Sequence, residues 1–134
     1  MVEFNSVQSK YDLTTKLVEV ESATVIPPRT LVGNTGGYPV KATASHDKVA
    51  YAINGSKAGE TSMVISVGNE FILKGTADVN FARATHAYSD CDIVDNAGTL
   101  NIDLDSHTTN VLSIVKGTEG SNLEVEFKIN KPLI

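Results

Sequence analysis

Asn122-Leu123-Glu124-Val125-Glu126-Phe127-Lys128-Ile129 places Leu123, Val125, Phe127 and Ile129 on one side of an extended chain and Asn122, Glu124, Glu126 and Lys128 on the other. Successive side chains of a strand point to opposite faces, so this period of two predicts a half-buried antiparallel strand. The same alternation recurs upstream. Val111 to Val115 precedes the closing strand across Gly117-Thr118-Glu119-Gly120-Ser121 and completes a hairpin with it. Asp92-Ile93-Val94 and Thr99-Leu100-Asn101-Ile102 flank Asp95-Asn96-Ala97-Gly98, a turn opened by Asp95 with glycine at the left-handed position. Thr30-Leu31-Val32 and Tyr38-Pro39-Val40-Lys41-Ala42 pair across Gly33-Asn34-Thr35-Gly36-Gly37.

Val49 to Ile53 reads as a strand ended by the tight-turn dipeptide Asn54-Gly55, and Ser62 to Val67 is expected to pair with Glu70 to Lys74 around Gly68-Asn69. Leu17 to Val20 is a further strand, and Pro27-Pro28, which lacks ladder donors, marks an edge or a turn. Between Gly75 and Ser89 two readings stay open: Ala77, Ala82, Ala84 and Ala87 allow a short helical turn, whereas Val79 and Phe81 alternate as in a strand. Strands spaced roughly 8 to 12 residues apart predict an all-β fold, a small antiparallel β-barrel or sandwich. The 134 residues make one β domain, 17–134, preceded by an extended N-terminal arm, 1–16. Phe4, Val7, Tyr11 and Leu13 are spread along that arm in neither a helical nor a strand period, so it is either mobile or ordered by docking on something else.

A net charge of −5 and the lack of any Lys/Arg cluster argue against binding nucleic acid, whose phosphates demand a basic stripe. Apolar runs fall far short of the roughly 20 residues that span a bilayer, and Met1-Val2-Glu3-Phe4 lacks the pattern of a signal peptide, so neither a membrane nor secretion is expected. Cys91 is the sole cysteine; between Asp90 and Asp92 it reads as a buried structural thiol, because neighbouring carboxylates disfavour a thiolate. Aromatic residues are only 6% of the chain, which weakens recognition by stacking.

Asp103-Leu104-Asp105-Ser106-His107 is the most suggestive polar cluster for a metal ion, since Asp103, Asp105 and His107 share a face if the segment is extended, and Asp90, Asp92 and Asp95 invite the same thought and the same discount. No EF-hand or His-rich spacing accompanies it, and a solvated strand end is the better reading. His46, His86 and His107 are dispersed. No serine sits in a nucleophile elbow, and the glycines of Gly33-Asn34-Thr35-Gly36-Gly37 run into Tyr38-Pro39 instead of a helix, so no phosphate cradle forms. No enzyme, catalytic residue or cofactor is expected.

The succession Thr30-Leu31-Val32-Gly33, Tyr38-Pro39-Val40-Lys41-Ala42, Val49-Ala50-Tyr51-Ala52 and Ala58-Gly59-Glu60 resembles the tailed-phage head decoration proteins, also called capsid cement proteins. The resemblance continues through Met63-Val64-Ile65-Ser66-Val67-Gly68, Glu70-Phe71-Ile72-Leu73, Asp92-Ile93-Val94-Asp95-Asn96-Ala97-Gly98, Val111 to Gly117 and Leu123-Glu124-Val125-Glu126-Phe127, covering about residues 28 to 129. Arg29, Ser89 and Ser113 stand where such proteins often carry glycine. The resemblance implies a non-enzymatic structural protein of the virion, made in the host cytoplasm, that sits on the outer capsid surface as a homotrimer. It would clamp subunits of the major capsid protein; the arm has no counterpart in the resemblance, and its apolar residues Phe4, Val7, Tyr11 and Leu13 are the expected anchors on the physical ground that such an arm can add a strand or apolar contacts to a shell.

Two other readings compete. A carbohydrate-binding or adhesive β-sandwich module would use Asp103, Asp105 and His107 at a calcium or sugar site. A small trimeric β-barrel enzyme would assemble its site between subunits, but no base and nucleophile can be nominated for it.

Overall fold

The computed structural model describes residues 5–7, 14–22 and 24–134. In chain order these form β1 (Asn5–Val7), β2 (Thr15–Glu19), β3 (Thr30–Thr35), β4 (Tyr38–Lys41), β5 (Ala50–Ala52), β6 (Ser62–Ser66), β7 (Ile72–Gly75), the one-turn helix α1 (Arg83–His86), β8 (Asp90–Asn96), β9 (Thr99–Asp103), β10 (Leu112–Lys116) and β11 (Val125–Ile129). The fold is all-β, as the alternation predicts. One sheet runs β1-β7-β11-β10-β8-β9 and the other β2-β6-β5-β3-β4. Every strand pairing is antiparallel. The five-stranded sheet curls until its outermost strands, β2 and β4, approach each other.

Burial explains the two-layer arrangement. Leu73, Phe127, Ile93, Leu100 and Ile114 of the first sheet meet Leu31 and Tyr51 of the second in one large core. Val32, Ala50, Ala52, Met63 and Ile65 turn the other way, into a smaller core inside the curl with Val20 and Ile26. β3 and β5 are therefore buried on both faces. Each large aliphatic or aromatic side chain so enclosed contributes roughly 2 kcal/mol against leaving it in water.

Three predicted hairpins form in register, β3 with β4, β8 with β9, and β10 with β11. In the second, Ala97 as well as Gly98 has positive φ, while the Asp95 carboxylate accepts the Gly98 N–H at 3.0 Å. The expected pairing of Ser62 to Val67 with Glu70 to Lys74 does not occur: β6 lies between β2 and β5, and β7 lies between β1 and β11. Gly68-Asn69 changes the layer instead of folding a hairpin, because Met63 and Ile65 belong to the inner core whereas Phe71 and Leu73 belong to the large one. The stretch from Gly75 to Ser89 resolves into α1 and irregular chain, with Phe81 buried.

The closing strand is shorter than its alternation implies. Glu124 takes φ 53°, so the ladder starts at Val125 and Leu123 is 60% exposed instead of facing the core. At the other end β2 begins at Thr15, two residues inside the stretch assigned to the arm, and β1 adds to the edge of the six-stranded sheet with Val7 opposite Ile72. Phe4, Tyr11 and Leu13 lie outside the described residues. After β11 the chain crosses to the second sheet, where the Val49 N–H donates to the Lys131 carbonyl at 3.0 Å and the Leu133 N–H to the Val49 carbonyl at 2.8 Å.

Candidate functional site

A densely hydrogen-bonded polar structure is built on Asp92, in the first strand of the β8–β9 hairpin. Cys91 and Ile93, its neighbours, face the core. The segment after β9 wraps the Asp92 carboxylate. Oδ1 accepts the N–H groups of Thr109 at 2.8 Å and Asn110 at 2.7 Å and the Thr109 hydroxyl at 3.1 Å. Oδ2 accepts the Ser106 hydroxyl at 2.7 Å and the Thr108 N–H at 2.8 Å. Asn110, at φ 53°, supplies the left-handed bend at the end of this wrap. Burial alone would push the acid up, but the Ser106 hydroxyl and the N–H groups of Asn110, Thr108 and Thr109 outweigh it and hold the carboxyl at about 2. With its acceptor positions filled by its own loop, Asp92 is a staple and not a ligand site.

Asp103, Asp105 and His107, expected to share one face, diverge. Asp103 ends β9 beside Asp78; burial, then a hydrogen bond with Asp78, then the charges of Asp78, Asp92 and Asp105 push its carboxyl up to about 6. Asp105 Oδ1 lies 2.8 Å from Nε2 of buried His86. Because His86 Nδ1 accepts the Ala82 N–H at 2.9 Å, the ring proton sits on Nε2 and is donated to Asp105. His107 Nδ1 donates to the Asp90 carbonyl at 2.8 Å. The three residues thus serve three different contacts, and among the described residues no group of three or more His, Cys, Asp or Glu could hold a metal ion.

The remaining candidates are structural too. Cys91 is fully buried, and burial followed by the charges of Asp92, Asp103, Asp78 and Asp90 pushes its thiol far up, which disfavours the nucleophilic thiolate. His46 is pinned over Gly33: Nδ1 accepts the Thr43 N–H at 2.9 Å, and Nε2 lies 3.1 Å from the Thr35 hydroxyl.

What the molecule offers instead is surface. β1 is an edge strand of the six-stranded sheet and β2 an edge strand of the five-stranded one, so consecutive strands border both layers. β2 is open to solvent, with Leu17 65% exposed. Beside it, a groove of about 240 Å³ runs between Val18 and Glu19 on one wall and Tyr38 and Pro39 on the other, with Leu133 and Ile134 completing it.

A second groove, of about 350 Å³, lies at the end of α1 and is lined by Phe81, Arg83, Tyr88 and Lys116 among others. Tyr88 is 85% exposed and takes φ 62°. No motif in the sequence singles it out. Its only sequence signal is a tyrosine just past a short helix, at the position where glycine is usual.

Among the described residues no helix is long and apolar enough to cross a membrane. No family model, curated protein or solved structure matches the chain.

Proposed function

We propose that this protein is a non-enzymatic decoration protein that binds the outer surface of an icosahedral phage head and stabilises contacts between subunits of the major capsid protein, acting as a homotrimer. The observation that carries the reading is the placement of β1 and β2 on the edges of both sheets. An edge strand presents backbone donors and acceptors to one side and is the natural place for another chain to add a strand. Here two such edges come from one N-terminal run, with Leu17 standing out from the second. The polar clusters favour the same reading, since Asp92, His86 and Cys91 are engaged in holding the fold. The strand and glycine succession that resembles the capsid cement proteins is what suggests the major capsid protein as the partner.

Binding only to the assembled shell would protect it by mass action. The test is to add the purified protein to shells of the cognate major capsid protein assembled without it, and to follow co-sedimentation and shell melting. Saturable binding with a raised melting temperature is expected. A protein that stays in the supernatant and leaves the melting unchanged would refute the proposal.

A further inference from the structure

We propose that the groove beside Tyr88 binds a carboxylate-bearing sugar, with a pyranose face stacked on the Tyr88 ring and the carboxylate paired with Arg83 and Lys116. This goes beyond attachment to a shell and does not depend on it.

Backbone conformation gives the first reason. Tyr88 is the only aromatic residue with positive φ among those described. A β-carbon disfavours that region and glycine enters it freely, so a bulky residue there is kept at a cost to the fold. The turn is held on both sides: the Tyr88 N–H donates to the Ile114 carbonyl at 3.1 Å, the Ser89 hydroxyl to the His86 carbonyl at 2.8 Å, and the Ile114 N–H to the Ser89 carbonyl at 2.8 Å. The ring gains little burial in return, being 85% exposed. Strain without compensating packing is a mark of a binding residue.

The surroundings define the ligand. Phe81 lines the groove, and Gly117 lets it approach, since a β-carbon at Gly117 would stand 2.6 Å from the Phe81 ring. At about 350 Å³ the space suits one or two sugar rings. Among the described residues the Arg83 side chain has no hydrogen-bond or ion-pair partner, since only its backbone N–H engages Glu119, at 2.9 Å. Lys116 Nζ lies 3.7 Å from Glu126. Arg83 is the cation left to receive an anion, with Lys116 shared with Glu126; Glu119 and Glu126 close by repel a dianion such as phosphate more than a single carboxylate, and Arg binds a carboxylate with paired N–H groups. An exposed aromatic ring and a guanidinium lining one groove fit an acidic sugar better than a peptide, which would seek apolar pockets for alternate side chains.

The test follows backbone amide NMR shifts of the full chain titrated with sodium glucuronate, with glucose and a hexaglutamate peptide as comparisons. Saturable shifts at Tyr88, Arg83, Lys116 and Gly117 are expected with glucuronate alone, weakened roughly tenfold in Tyr88→Gly and in Arg83→Ala. Tyr88→Gly is also expected to melt no lower than the parent, because relief of strain offsets the lost ring. Equal response to glucose, response to the peptide alone, no response, or undiminished binding in Tyr88→Gly would each overturn the proposal. So would a large loss of thermal stability in that variant, which would make the ring a structural part.

Discussion

Asp103 shares a hydrogen bond with Asp78 that lasts only while the Asp103 carboxyl keeps its proton, and the charges of Asp78, Asp92 and Asp105 add to the pressure on it. Burial is the larger cause, and together they lift Asp103 from its ordinary 3.8 to about 6. A group bound more tightly to its proton in the folded state stabilises the fold below its unfolded value, and that contribution is lost as pH rises through the folded one. Stability should therefore fall between about pH 4 and pH 6 by no more than about 3 kcal/mol. Asp103→Asn, which keeps a donor for Asp78 without a titrating proton, should flatten this limb in melts taken from pH 4 to 7. An unchanged slope in the variant would remove Asp103 from the account.

Asp92 works with the opposite sign. Its carboxyl is held at about 2, below its ordinary 3.8, so its contribution is present above 3.8 and lost as pH falls toward 2. The acid limb should cost roughly 2 kcal/mol from this group. At neutral pH, Asp92→Ala strands the N–H groups of Thr108, Thr109 and Asn110 and should cost about 3 kcal/mol, read by chemical denaturation.

Gly33 is required by contact, not by φ. A β-carbon there would overlap the ring of His46. Gly33→Ala should displace the imidazole, break its bonds to Thr43 and Thr35, and cost about 1 to 3 kcal/mol. His46→Ala in the same chain should recover part of that loss. A double mutant no better than the sum of the single changes would show that the clash is not the cause.

Cys91 should react with a thiol reagent only when the fold opens. Its modification rate should track denaturant concentration through the unfolding transition, and fast labelling of native protein would contradict its burial.

Removing residues 1–13 takes β1 from its place beside β7 and leaves β2 to β11. The shortened chain should still fold, with a melting temperature lower by a few degrees at most. Under the proposed capsid role it should also lose most of its affinity for shells, and full affinity in a co-sedimentation titration would acquit the arm.

The sequence made the local features legible and left the long-range ones hidden. Hairpins with their own turn chemistry, such as Asp95 to Gly98, could be read because the cause lies within a few residues. The exchange of layers at Gly68 could not, since a turn-like dipeptide looks the same whether the next strand pairs back or crosses over. Which core receives Ile65 and which receives Phe71 is settled by partners far along the chain. The same limit hid the wrap around Asp92, whose donors lie 14 to 18 residues away. It also made the face shared by Asp103, Asp105 and His107 look real, until the chain turned just past β9.

One consequence of the N-terminal layout is mechanical. A pull on the chain ahead of Asn5 meets β1 first, which is held by three residue pairs to β7. Only after those part does the load reach β2, held by five pairs to β6 in the other layer. An N-terminal pull would therefore be resisted first on one sheet and then on the other, by three residue pairs and then by five.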